Sequence, residues 1–199
     1  MAEKIRIFVD YWNLQLEWNK QTDKAPLAWD RLSAILTQEA MKVVGVDDYR
    51  YEGTWVYASV NDPPDDGGRL RNWLDSYLDR QPGINVKVRQ RRARVHAIHC
   101  RECKNLIEQC PHCGVVIKKS AEKGVDAAIV TDLFTQAWEN AYTIAILVSS
   151  DGDYVPAVEK LQEKGLKIIN ATWRQIGHQL AKTCWAAIEF NGLVAKLTR

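Results

Sequence analysis

At 199 residues, with 46% hydrophobic and 26% charged side chains, the chain has the composition of one soluble domain. Its net charge of +2 excludes the global positive field of a strongly basic nucleic-acid binder, so any such signal has to be local. No apolar stretch approaches the ~20 residues of a membrane span, and the first residues run into a strand pattern rather than a signal peptide. A cytoplasmic protein with no membrane partner is expected.

In chain order, residues 4–10 form a first strand that stops at Asp10, and Asp10-Tyr-Trp-Asn13 is the turn leaving it. Leu32, Ile35, Leu36, Ala40 and Val43 are spaced as one helical face within residues 27–44, with Gly45 as the stop. Residues 51–60 are β-rich, 61–68 carry every local signal of a loop, and 69–79 place Leu70, Trp73, Leu74, Tyr77 and Leu78 on one helical face. Pro82-Gly83 ends that helix and Ile84–Val88 is a third strand. Composition then changes, and an inserted element is expected over 93–118 of a domain that otherwise spans 1–199. Helical patterns return at 127–138 and 155–164, around an almost purely apolar run, Ile144–Ser149, that marks a strand buried on both faces. Residues 166–171 give a fifth strand and 176–187 a helix. A short last strand at 188–190 and a terminal helix at 193–198 complete the pattern, with no internal repeat. The alternation implies an α/β fold: a three-layer, Rossmann-like, mostly parallel five-stranded sheet with helices on both faces.

Two strands of this pattern end in carboxylates. The first stops at Asp10, with Asn13 just beyond, and the apolar run stops at Ser150-Asp151-Gly152-Asp153. Open α/β sheets bind ligands at such strand ends. If the two strands are neighbours, their ends lie about 5 Å apart. Acidic side chains that converge repel one another unless a cation neutralises them, and hard oxygen ligands suit Mg²⁺ or Mn²⁺. Asp126 sits near a helix start, where capping and metal binding are both open to it, and Asp153 could likewise cap the helix near Val155. Strand-end aspartates on two strands are expected to have no capping role. Asp132, six residues past Asp126, is off its helical face and ranks second.

Three blocks carry a family resemblance: Ile7-Phe-Val-Asp-Tyr-Trp-Asn-Leu14, Lys123-Gly-Val-Asp126 with Asp132, and Val148-Ser-Ser-Asp-Gly-Asp-Tyr-Val-Pro156. In this order they resemble the signature blocks of the NYN domain family, PIN-like ribonucleases. The resemblance covers most of the chain outside 93–118. It implies that Asp10, Asp126, Asp151 and Asp153 hold the catalytic Mg²⁺ or Mn²⁺ of an endoribonuclease. It further implies that Asn13 holds the first turn and that Ser149 and Ser150 orient metal-bound groups or a phosphate. Where relatives commonly carry glycine after the first aspartate, this chain has Tyr11-Trp12. Two aromatics there could stack on bases, a contact worth roughly 1–3 kcal/mol each, or could narrow the pocket against ordinary RNA. The rivals are a binding or adaptor module of the same fold without cleavage, and a small-molecule enzyme using the same strand ends. A phospho-aspartate phosphatase fits poorly, because Trp12 stands where its second aspartate belongs. Relatives often dimerise, so a homodimer is possible, but no heptad seam requires one.

Of five cysteines, Cys184 lies alone in an apolar pattern and reads as a buried structural thiol. The others form Cys100-x-x-Cys103 and Cys110-x-x-Cys113, the spacing of a closed, structural Zn²⁺ site with four thiolates. An insert of this size cannot bury a core of its own, and metal would replace it. His96, His99 and His112 are spare, and His178 reads as a partly exposed structural histidine. Lys87–Arg94 is strongly basic, with Arg101, Lys104, Lys118 and Lys119 around the cysteines. Such runs commonly protect a strand edge. Beside a nuclease-like site, Arg89, Arg91, Arg92 and Arg94 are read as contacts to RNA phosphates. Among the tryptophans, Trp73, Trp138 and Trp185 read as core, while Trp12, Trp18 and Trp173 are placed to line the cleft.

Overall fold

Alternation along the central strands sets the architecture. In the computed structural model, Ile144, Ile146 and Val148 enter one apolar cluster, whereas Ala145 and Leu147 enter another on the opposite face. A strand with both faces apolar can only lie inside a sheet covered on both sides. The description covers residues 2–64, 66–91, 93–95, 97–120 and 124–199, with 93–95 and 118–120 as backbone.

The six long strands are β1 (Glu3–Asp10), β2 (Tyr49–Asn61), β3 (Ile84–Arg91), β8 (Ile144–Val148), β9 (Lys167–Thr172) and β10 (Ala186–Glu189). They lie in the order β10-β9-β8-β1-β2-β3, with every neighbouring pair parallel. The sheet thus has six strands where five were expected. The sixth is β10, foreseen as a short last strand at 188–190 but beginning two residues earlier, within the stretch read as helix. Its alanines favour a helix locally, yet α6 spans only His178–Thr183, and pairing with β9 takes the following residues.

Helices α1 (Tyr11–Gln21) and α2 (Trp29–Val44), with the short α3 (Arg69–Trp73) and its π-helical continuation Leu74–Leu78, cover one face. On the other face lie α4 (Val125–Trp138), α5 (Val155–Glu163) and α6. A last short helix, α7 (Val194–Leu197), contacts α2. Gly45 ends α2 in the left-handed conformation (φ 70°), as its position suggested. The chain leaves β1 toward the first face and β8 toward the second. The gap between these adjacent strands is the topological switch point, where α/β sheets open a crevice.

Between β3 and α4 an arm leaves the sheet. Its base is an antiparallel pair, β4 (Ala93–Val95) with β7 (Lys118–Ser120), and it continues into β5 (Ile98–His99) paired with β6 (Leu106–Ile107). The arm contains a repeat that the sequence reading missed. Cys100 N–H donates to Asn105 O (2.9 Å) and Lys104 N–H to Cys100 O (3.1 Å). Ten residues on, Cys110 N–H donates to Val115 O (2.9 Å) and Gly114 N–H to Cys110 O (2.8 Å). The bridge Gln109–Val116 corresponds to the pair His99–Leu106, and Lys104 (φ 59°) and Gly114 (φ 69°) share the left-handed position. Apart from the Cys-x-x-Cys of each turn and an isoleucine, the two segments share little sequence, so the repeat lives in the backbone.

The tryptophans partly reverse their expected places. Trp18 and Trp173 are buried and lie 5.9 Å apart, inside the core rather than at the cleft. Trp138 is 76% exposed and Trp185 48%, each beneath a lysine ammonium, and neither is core. A helical apolar position at the last turn of a helix has no partner beyond it. Cys184 is buried as expected, and burial pushes its thiol up to about 12. His178, at the start of α6, is exposed.

Candidate active site

The register of β1 on β8 runs Ile5–Ile144 to Val9–Val148, so the two strands finish side by side. β1 ends on Asp10 and β8 is followed three residues on by Asp151, and each aspartate caps the turn after it. Asp10 Oδ1 accepts Asn13 N–H (3.2 Å) and starts α1, and Asp151 Oδ1 accepts Asp153 N–H (2.9 Å) and starts the 3-10 turn Gly152–Tyr154. The expectation that these aspartates cap nothing is therefore wrong, as is the reading of 10–13 as a bare turn. A carboxylate has four lone-pair sites, and one capping bond does not remove it from other duties.

Asn13 ties the two strand ends together. Its Oδ1 accepts both Ser150 N–H (2.9 Å) and Ser150 Oγ–H (2.8 Å). Ser149 Oγ accepts Asp151 N–H (3.2 Å), and Ser149 O accepts a hydrogen bond from Asn170 Nδ2 (2.8 Å), which also reaches Leu147 O (3.0 Å). Gly177 presses on this turn from the next loop. Its φ is 71°, and a Cβ there would stand 2.9 Å from the Ser150 Cα, so only glycine fits.

The resulting crevice is lined by Asp10, Asp126 and Asp151, together with Trp12, Asn13, Leu16, Glu17, Ser150 and Ile176. Asp126 lies inside the first turn of α4, one residue into the helix, and is exposed. The buried Tyr154 hydroxyl lies 3.0 Å from Asp126 Oδ1 and 3.5 Å from Asp10 Oδ2, bringing these two carboxylates around one phenol. Burial first, and then the negative charge of Asp10 and Asp126, push this phenol far above its ordinary range, so it remains a donor. Asp153 is exposed and is not part of the crevice lining, nor does it cap α5, whose N-cap is Tyr154. Asp132 is engaged elsewhere, accepting from Tyr57 Oη and Lys87 Nζ (both 2.5 Å).

Tyr11 is taken out of reach of any base. It is buried, stacked on Trp29 at 5.7 Å, and its hydroxyl is pushed up to about 12 by burial. Trp12 does face the crevice, with its indole N–H bonded to Ser59 O (2.7 Å) and the Arg91 guanidinium 5.0 Å from its ring centre. The basic run lies on the edge strand β3, where Lys87 and Arg89 are exposed and Val86 and Val88 pack inward. Arg92, His96 and Lys123 lie outside the described residues, as do the side chains of Arg94, Lys118 and Lys119.

Tyr154, Asn170 and Glu17 belong to this site but carried no assigned role in the sequence. Glu17 follows Asn13 by one helical turn and would have emerged once 11–21 was read as a helix. Asn170 had no such signal, because a lone amide in an apolar strand leaves the pattern unchanged.

The NYN domain family matches residues 4–190. The chain belongs to the NYN domain family. No curated protein matches it. Among solved structures, a Vibrio parahaemolyticus protein of unknown function superposes with a TM-score of 0.57 at 17% identity, over 94% of this chain and 93% of that one. At that identity the likeness speaks for the fold alone. Membership gives the chain a nuclease-like α/β fold, in a family whose nucleases depend on divalent metal and for which RNA is the suggested substrate. Among the described residues, no helix is long and apolar enough to cross a membrane.

Among the described residues, no three His, Cys, Asp or Glu side chains stand close enough together to form a metal site. The four-thiolate cluster expected from the cysteine spacing is accordingly not assembled; the thiols lie in two separate turns. For the crevice, the donor chemistry still suits a hard cation. Mg²⁺ typically takes one or two protein carboxylates and keeps several waters, without an all-protein cage. Asp10 and Asp126 around one phenol, with Asp151 lining the same crevice, fit that donor chemistry.

Proposed function

We propose that the chain is an endoribonuclease that hydrolyses RNA phosphodiester bonds in the crevice between β1 and β8. The observation that carries this reading is the convergence of Asp10, Asp126 and Asp151 on one cleft in a chain of a nuclease-like family. Asp10 and Asp126 would hold Mg²⁺ or Mn²⁺ with Asp151 beside them, while Asp153 acts from the rim. When bound, such an ion supplies activation of a water and stabilisation of the leaving oxygen. The chain's own residues position the strand. Asn13 fixes the Ser149-Ser150 turn, so the Asp151 carboxylate and the Ser150 hydroxyl keep their places relative to Asp10. Tyr154 donates its hydroxyl hydrogen bond to Asp126 with Asp10 within reach, and so fixes the spacing of the two carboxylates. Trp12 offers a flat wall for a base, and Arg89 and Arg91 supply phosphate contacts along the sheet edge, a role also proposed for Arg92 and Arg94, which follow in the sequence.

Asp151→Asn is expected to lower cleavage of single-stranded RNA by about 100-fold or more, with circular dichroism unchanged. Chelation should silence the unaltered protein, and Mn²⁺ should restore it. Full activity in the variant would remove this carboxylate from the reaction. RNA binding with no cleavage under any metal would favour the adaptor reading.

The arm forms the second part of this reading. Each turn presents two thiols on a backbone whose N–H groups support them, and backbone hydrogen bonds hold the Cys100 and Cys110 thiols below their ordinary range. One Zn²⁺ joining the two turns would staple an element that has no core. Elemental analysis of purified protein should find about one zinc per chain, lost in Cys103→Ser with Cys113→Ser. Zinc-free wild-type protein would reduce the arm to a hairpin with free thiols.

A further inference from the structure

Next to the acidic crevice, on the other side of Trp12, lies a second cavity of about 140 Å³. Trp12 belongs to both linings and forms the wall between them. We propose that this cavity seats one pyrimidine base of a single-stranded RNA and so sets where the strand is cut. The proposal rests on the crevice being the cleavage site.

Size is the first argument. A cavity of about 150 Å³ accepts a single six-membered ring such as benzene. At about 140 Å³ and partly open to solvent, this one matches the one-ring base of a pyrimidine, and the fused second ring of a purine would project beyond its walls. The walls are the second argument. Val60, Pro64 and Leu70 are apolar and suit a flat ring face, and Trp12 cannot swing aside because its indole N–H is tied to Ser59 O (2.7 Å). Polarity is the third. The Arg91 guanidinium lies over Trp12, and its Nε is buried with no hydrogen-bond partner among the described residues. Such a donor gains by meeting an acceptor, and the O2 carbonyl common to uracil and cytosine is one. Asp66 contributes little to selection, because its carboxylate is committed to the Gly68 and Leu70 backbone N–H groups (2.9 and 2.7 Å). A base can enter such a pocket only when unstacked, which confines the substrate to single strands and loops.

Oligoribonucleotides carrying one uridine or cytidine in a purine tract, and the reverse set, would be cut with Mn²⁺ present and the products mapped. Cuts beside the pyrimidine should outnumber purine cuts by about tenfold or more. In Leu70→Trp, which fills the cavity, this ratio should fall to near one. Arg91→Ala, on a half-buried side chain, tests the same ratio if the bulky variant does not fold. Binding of oligouridine against oligoadenosine, measured with chelator present, reads the cavity without any cleavage. Pyrimidine-selective binding that Leu70→Trp abolishes would uphold the cavity even if no RNA were ever cut, in which case only the nuclease reading fails. Cleavage with no base preference, or a preference that survives both substitutions, would overturn the proposal.

Discussion

The sheet and the cysteine arm are held by different physics. In the body, β1, β8 and β9 bury both faces, and residues such as Ile146, Leu147 and Ile169 are wholly inaccessible. In the arm, Ile98, Leu106, Ile107, Val115 and Val116 remain substantially exposed, and order comes from two copies of one hydrogen-bonded turn. The body can hold carboxylates at fixed separations because strand register, set by burial, leaves the strand ends no freedom. The arm has no comparable restraint, and its backbone alone fixes where its thiols point. Rigid placement of charged groups therefore belongs to the sheet, and any rigidity of the arm has to be imported.

The sharpest test compares one residue from each region. Leu147→Ala should cost about 2–5 kcal/mol in denaturant unfolding, whereas Cys103→Ser should leave the global transition within about 0.5 kcal/mol. A large global loss from the cysteine variant would show that arm and body unfold as one unit. A smaller effect is expected where the site meets the sheet. Asn13→Ala removes the acceptor shared by Ser150 N–H and Oγ–H and should cost about 1 kcal/mol in stability. Its effect on cleavage should be larger than its effect on melting, because the turn carrying Asp151 loses its tether. Equal losses in both would make Asn13 merely structural. Least of all, Trp138→Ala should shift stability by less than about 0.5 kcal/mol, given its 76% exposure. A loss of core size would restore the reading of this tryptophan as buried.

Much of the fold was legible because long apolar periods survive any tertiary context. Residues 144–148, 29–44 and 125–138 took the forms their patterns suggested, and Asp10, Asp126 and Asp151 line one crevice, although among the described residues no three such side chains stand close enough to form a metal site. What failed was local and had local causes. Residues 11–21 have a weak amphipathic pattern because Trp12, Asn13 and Glu17 face the crevice rather than the core, so the helix went unread. Asp153 follows Asp151 by two residues, but the intervening 3-10 turn carries it to the exposed rim. Tyr11 and Trp12 are adjacent and look equivalent, yet the first step of α1 sends one into the core and the other to the surface. Tyr154 was in plain view within Asp-Gly-Asp-Tyr, but nothing in a sequence says that a phenol will reach an aspartate 144 residues away.

The crossing of connections between β1 and β8 has a consequence of its own. The crevice exists because α1 and α5 depart to opposite sides, not because any acidic side chain holds it open. Erasing every carboxylate would leave the groove intact, complete with Trp12 as a ledge. If the chain is the nuclease proposed above, a descendant could lose cleavage and still grip a strand, and its backbone trace would give no sign of the change.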